Sequence, residues 1–156
     1  MYVLKKLGIL LLCLFIPLFT GGLAGLLTAS DGGMYETIDR PPLSPPGWLF
    51  PVGWIILYTL MGLATYIAVT RGKGRSTLWM VLYGITIALN FVWPFLFFKA
   101  RAFMLSFLWI LLMWAVGFVL TRELWLKQKA AGVLLLPYMA WLSFAAYLCY
   151  GIATLN

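Results

Sequence analysis

Five stretches of this chain are long enough to cross a bilayer as helices, and none contains an Asp, Glu, Lys or Arg. They run about Leu7 to Thr28, Gly47 to Thr70, Thr77 to Phe98, Ala102 to Thr121 and Ala130 to Thr154. A hydrocarbon core about 30 Å thick takes roughly 20 apolar residues of helix. Inside it there is no water to satisfy a free N–H or C=O, so only helices and closed barrels can span. The expected fold is therefore all-α: an integral membrane bundle of five transmembrane helices, with residues 1–156 forming one domain. Composition agrees. Charged residues make up 10% of the chain, against about 25% in a soluble domain, too few to coat a water-facing surface.

The charges fall between the spans. Residues 71–76 read RGKGRS, the next connection is little more than Lys99 to Arg101, and Arg122 to Lys129 holds Glu123. Loop one, about Ala29 to Pro46, is longer and Pro-rich, and carries Asp31, Glu36 and Asp39. With the N-terminus inside, the inner side holds Lys5, Lys6, Arg71, Lys73, Arg75, Arg122, Lys127 and Lys129, and the outer side Arg40, Lys99 and Arg101. That bias predicts the N-terminus inside and the C-terminus outside. The net charge of +7 is then a matter of topology. No basic patch interleaved with aromatics and no nucleic-acid fold motif points to a polyanion partner. The first apolar run exceeds the 7–15 residues typical of a signal-peptide h-region, so it is read as a retained span.

Several function classes are excluded. The chain has no histidine, which removes His-ligated haem, His–metal sites and the commonest general base; no metal centre is expected. The spans carry no carboxylate or cation of the kind ion-coupled transporters use, although passive conduction of a hydrophobic molecule stays open. Phosphate-binding, zinc-protease and nucleophile-elbow motifs are absent. Cys13 and Cys149 should differ in depth by roughly 20 Å, too far for a disulfide, and read as packing residues.

Polar and aromatic residues converge in one half of the membrane. Trp54, Tyr58, Met61 and Thr65 recur at helical spacing on one face. Trp48 lies at the boundary and reads as an interfacial belt residue, whereas Trp54 is too deep for the belt. Pro94 deprives the Asn90 carbonyl of its helical partner, so a kink is expected there. Asn90 then has two readings: its amide repairs the defect or bonds a neighbouring helix, or it faces a ligand. Tyr138, Trp141 and Ala145 share a face of span five, which Pro137 should bend. Gly21 with Gly25, and Gly84 with Ala88, allow close approach, and either pair is a candidate dimer seam. Gly21 to Gly25, Trp54, Asn90, Trp93 and Ala145 fall at similar depth in the outer half, with Trp141 just beneath. An apolar, aromatic pocket opening outward and covered by loop one is expected.

The run Pro45-Pro46-Gly47-Trp48, with Pro51, Trp54, Leu57-Tyr58 and Met61-Gly62, resembles the span-two signature of the TspO/translocator protein family. Leu89-Asn90, Trp93 and Phe97-Phe98 in span three, and Gly21-Gly22 with Gly25 in span one, match as well, so the resemblance covers essentially the whole chain. It implies a five-helix bundle, often dimeric. It also implies binding of protoporphyrin IX and related tetrapyrroles, of sterols in mitochondrial members, and of benzodiazepine-type synthetic ligands. Bacterial members are linked to light- and oxygen-dependent breakdown of protoporphyrin. Matching positions imply a pocket lined by Trp54, Asn90, Trp93, Trp141 and Ala145, with Tyr35 from loop one; Tyr58, Gly22 and Gly25 join them as binding candidates. The mitochondrial sterol motif needs a basic residue after its tyrosine. Here Tyr147 and Tyr150 are followed by none, so the basis for a sterol role is missing.

The resulting expectation is a multi-pass protein of the bacterial plasma membrane, acting as a homodimer in the lipid bilayer. It binds tetrapyrroles and drug-like hydrophobic ligands and requires no resident cofactor. Trp54 and Trp141 are the residues expected to support light- and oxygen-driven porphyrin degradation. The alternatives are a sensor or carrier that leaves its ligand unchanged, and a structural protein that works through partners.

Overall fold

The structure, a computed structural model, describes residues 2–73 and 77–156. Gly74, Arg75 and Ser76, and with them one cation of the second connection, lie outside the described residues. Every long apolar run is a helix. Helix α1 spans Tyr2–Thr28 and passes directly into a 3-10 helix, Ala29–Glu36. Then come α2 (Leu49–Arg71), α3 (Leu78–Pro94) continued by a π-helical turn (Phe95–Lys99), α4 (Phe103–Lys127), α5 (Lys129–Val133) and α6 (Leu136–Leu155). The last two together make the fifth span. Five helical segments are long and apolar enough to cross a membrane, and there is no strand among the described residues.

The helices form a ring. Helix α1 packs between α2 and α3, α4 between α3 and α6, and α5 closes the circle against α2 and α4. The α1–α2 crossing is close because of Gly62, where a Cβ would sit 2.7 Å from the Cys13 carbonyl oxygen. The stripe expected on α2 faces inward: Tyr58, Met61 and Thr65 are buried. Buried hydroxyls are satisfied within their own helices. Thr65, Thr86, Ser106 and Thr121 each donate to the carbonyl four residues back, at 2.7–2.9 Å, which lets polar side chains sit in an apolar bundle. The outer face is correspondingly apolar, with Leu11, Phe15, Ile56, Val81, Leu108 and Phe118 among its exposed side chains.

Three local features differ from the sequence reading. The segment from Arg122, read as a loop, continues α4 to Lys127, because the buried stripe of Gly117, Leu120, Thr121 and Leu124 carries on at helical spacing. Arg122 stays exposed and pairs at 3.3 Å with Glu123, whose side chain is mostly covered. At Pro94 the chain widens rather than merely kinking. The Ala100 N–H donates to the Phe95 carbonyl at 2.8 Å, a five-residue step, as π-turns allow. Pro137 does not bend a continuous helix either. It sits in the first turn of α6, just after a break at Leu134–Leu135, where its missing N–H costs nothing.

Candidate ligand-binding site

A cavity of about 710 Å³ lies between α1, loop one, α2 and the end of α3, within the usual range for small-molecule sites. Glycine makes one wall. Gly21, Gly22 and Gly25 of α1 bare the backbone there, and at Gly21 a Cβ would overlap the Tyr58 ring. The opposite wall is aromatic. Phe50, Trp54 and Tyr58 follow one another by single turns along α2, and the Trp54 and Tyr58 rings stack at 5.2 Å and 27°. Trp93, Pro94 and Phe98 form the back, and Ala29, Gly32, Tyr35 and Gly47 of loop one form the roof. No Asp, Glu, Lys or Arg is among the lining residues.

Tyr35 is held in place before any ligand arrives. It is 1% exposed, and its hydroxyl donates to the Pro45 carbonyl at 2.9 Å. One flank meets Phe50 edge-on at 5.1 Å. The Arg40 guanidinium lies 4.8 Å from its ring centroid, close enough for a cation–π attraction, and pairs with Glu36 at 3.3 Å.

The structure separates the residues singled out in the sequence into two groups. Tyr35, Trp54, Tyr58, Trp93, Gly22 and Gly25 line the cavity. Asn90, Trp141 and Ala145 do not: the Trp54 ring stands in front of Trp141 and of the Tyr138 that bonds Asn90. Its centroid is 6.4 Å from Trp93, 6.5 Å from Tyr138 and 6.3 Å from Trp141. Trp141 also fits against Gly53, where a Cβ would lie 2.9 Å from the indole edge. Ala145 borders a separate gap of about 10 Å³ shared with Tyr35, Phe50, Trp93 and Phe97. The Asn90 oxygen accepts from the Tyr138 hydroxyl at 3.0 Å, so this amide does bond a neighbouring helix. Its Nδ2 has no partner, and neither do the buried indole nitrogens of Trp93 and Trp141. Unpaired donors thus lie around Trp54, each carrying the desolvation cost of a buried polar group without an acceptor.

Phe50 is the main lining residue that the sequence reading missed. It lies one turn before Trp54 on the stripe already recognised, and meets Trp141 edge-on at 6.1 Å. Trp48, read as a belt residue, is 65% exposed and also borders the cavity mouth. The candidate seam of Gly84 and Ala88 lies on an exposed face of α3.

Comparison with known proteins places this arrangement in a wider group. Residues 12–155 match the model of the TspO/MBR family. The chain is 34% identical over 156 residues to the "Tryptophan-rich protein TspO" of Chlorobaculum tepidum, covering 97% of this chain and 98% of the relative. It is 38% identical over 120 residues to the "Translocator protein" of Ovis aries, covering 74% of this chain and 70% of that one. It is 28% identical to "Protein CrtK" of Rhodobacter capsulatus over 91% of this chain and 89% of the relative. With the five-helix bundle and a family match across nearly its whole length, the chain belongs to the TspO/MBR family.

Proposed function

We propose that this protein binds tetrapyrroles, protoporphyrin IX foremost, and other flat hydrophobic ligands in the cavity between α1 and α2, and promotes their degradation under light and oxygen. The observation that carries this reading is the pairing of a glycine wall with a stacked aromatic wall around about 710 Å³ of uncharged space. A large π-system gains most from such a slot, because indole and phenol faces stack on it while bare backbone lets it approach closely. The lack of histidine favours a metal-free porphyrin over haem. Illuminated free-base porphyrin passes energy to oxygen, and the excited singlet oxygen so formed adds to the macrocycle and is reduced as it oxidises the ring. Trp54 faces the ligand and Trp141 stands 6.3 Å behind it, so the two indoles are placed to relay an electron to or from the excited ring. Asn90 orients a polar edge of the ring once Trp54 turns aside, giving its unpaired Nδ2 an acceptor. The protein acts in the plasma membrane with its N-terminus inside, as a homodimer; the Lys/Arg bias supports the orientation, and the open faces of Gly84 and Ala88 support a seam.

The test follows the protoporphyrin IX absorbance band over time under light and oxygen. Wild type, a Trp54→Phe/Trp141→Phe variant and empty detergent are compared. Loss of the band that needs the protein and slows at least about tenfold in the variant is the expected result. Equal rates in wild type and variant would sink the catalytic role. A saturable spectral shift with the band intact would leave a sensor or carrier, a reading favoured by the absence of any acid, base or metal ligand among the lining residues.

A further inference from the structure

Loop one is fastened to the end of α6 at three points. The Asn156 amide pairs with the Asp39 backbone in both directions. Its Nδ2 donates to the Asp39 carbonyl at 2.9 Å, and its Oδ1 accepts from the Asp39 N–H at 3.1 Å. The same Nδ2 donates to the Ile152 carbonyl at 2.9 Å, which fixes the amide on the helix. Further along α6, the Tyr147 hydroxyl donates to the Pro42 carbonyl at 2.7 Å. The Pro41 ring fills a notch at Gly151, where a Cβ would come within 2.5 Å of it. A Pro-rich segment has few N–H groups to offer, so engaging both polar groups of Asp39 uses much of what this stretch has. On the other flank the Tyr35 hydroxyl holds Pro45, and the Gly47 N–H donates to Glu36 at 3.4 Å. The roof of the cavity is therefore tied down on both sides.

The gap between α1 and α2 has no such ties among the described residues. Gly22, Gly25, Leu26, Pro51 and Ile55 line the cavity there and are exposed, Leu26 by 77% and Ile55 by 59%. A Cβ at Gly22 or Gly25 would meet nothing within 4 Å. Helical rise puts these residues about 3–9 Å inside the ends of their helices, within segments long and apolar enough to cross a membrane.

We infer that hydrophobic ligands exchange with the cavity sideways, from the bilayer through the α1–α2 gap, while the latch centred on Asn156 holds loop one in place over the water-facing end. This rests on the reading that the cavity binds flat hydrophobic ligands. Such ligands are concentrated in the lipid, so a mouth between two membrane-spanning segments meets them without a crossing through water. Asn156 is a positioning residue here: it touches loop one and not the ligand.

The test is stopped-flow quenching of tryptophan fluorescence by protoporphyrin IX in the dark, with the protein in lipid nanodiscs. Enlarging the two rims with Leu26→Phe and Ile55→Phe is expected to slow association and dissociation together by about tenfold. Slowing of both rates by a similar factor marks a raised barrier, whereas an altered contact with the bound ligand moves mainly the dissociation rate. Both positions are exposed apolar sites, and a thermal melt checks that the fold is kept. Adding Asn156→Ala to the rim variant is expected to bring exchange back toward the wild-type rates by freeing the roof. Wild-type rates in the rim variant would overturn the lipid route. Exchange that stays slow after Asn156→Ala would overturn the latch. Failure of the binding reading itself has a different signature, no saturable quenching even by the wild type, and would take this inference with it.

Discussion

Gly21 and Gly25 are one turn apart on α1, yet they face different surroundings. A methyl group at Gly21 would overlap the Tyr58 ring, whereas one at Gly25 would meet nothing within 4 Å. Gly21→Ala is therefore expected to destabilise the protein by about 1–3 kcal/mol through overpacking. Gly25→Ala should be neutral, or stabilising by up to about 1 kcal/mol through lower backbone entropy in the unfolded chain. Thermal unfolding in detergent checks the pair, and equal shifts would contradict the close Gly21–Tyr58 contact. The polar pair at the centre is also testable. Tyr138 donates to Asn90 at 3.0 Å, both are buried, and the Asn90 Nδ2 already lacks a partner. Tyr138→Phe leaves the second end of the amide unpaired and should cost about 1–3 kcal/mol, read by the same melt.

Among the elements, α1 depends most on a single crossing. Much of its length faces outward, with Leu11, Leu12, Phe15 and Phe19 exposed, and its tightest approach to α2 is at Gly62. There a side chain would run into the Cys13 carbonyl and the Leu14 backbone. Since that obstacle is backbone and cannot swing away, Gly62→Val is expected to push α1 off α2 and cost about 3 kcal/mol or less. It should also weaken porphyrin binding, because α1 carries the glycine wall. A variant with wild-type melting temperature and quenching would show that the crossing tolerates a wider spacing. The π-turn at Phe95–Lys99 has a comparable role in α3. It follows directly on Pro94 and sets the positions of Phe97 and Phe98. Phe97 stacks on Trp93 at 5.2 Å, and Phe98 reaches the cavity wall.

For the whole molecule, the proposed orientation makes a simple prediction. A cysteine placed by Leu43→Cys, at the 84% exposed tip of loop one, should react with an impermeant maleimide added to intact cells. One placed by Lys129→Cys should react only after lysis; the reverse pattern would invert the topology. The native Cys13 and Cys149 are buried and give a low background. The number of spans was legible in the sequence because it depends on local quantities, the length of uncharged runs and the cost of bare backbone in lipid. The Trp54–Tyr58–Met61–Thr65 face was legible for the same reason, since helical period is local. The division of the site was not. Depth along a span places Asn90, Trp54, Trp141 and Ala145 at similar levels, but it says nothing of how each helix is rotated or which ring fills the middle. Packing decides that, and it sets Trp54 between the cavity and the Asn90–Tyr138 pair. The fastening of loop one was equally out of reach, because Asp39 and Asn156 lie 117 residues apart and no periodicity links them. The sequence by itself thus determined a five-helix membrane bundle with a glycine- and aromatic-rich end. Only the tertiary structure decided which of those residues share one cavity, and that loop one is tied to the end of α6, because these depend on contacts between segments that no local pattern encodes.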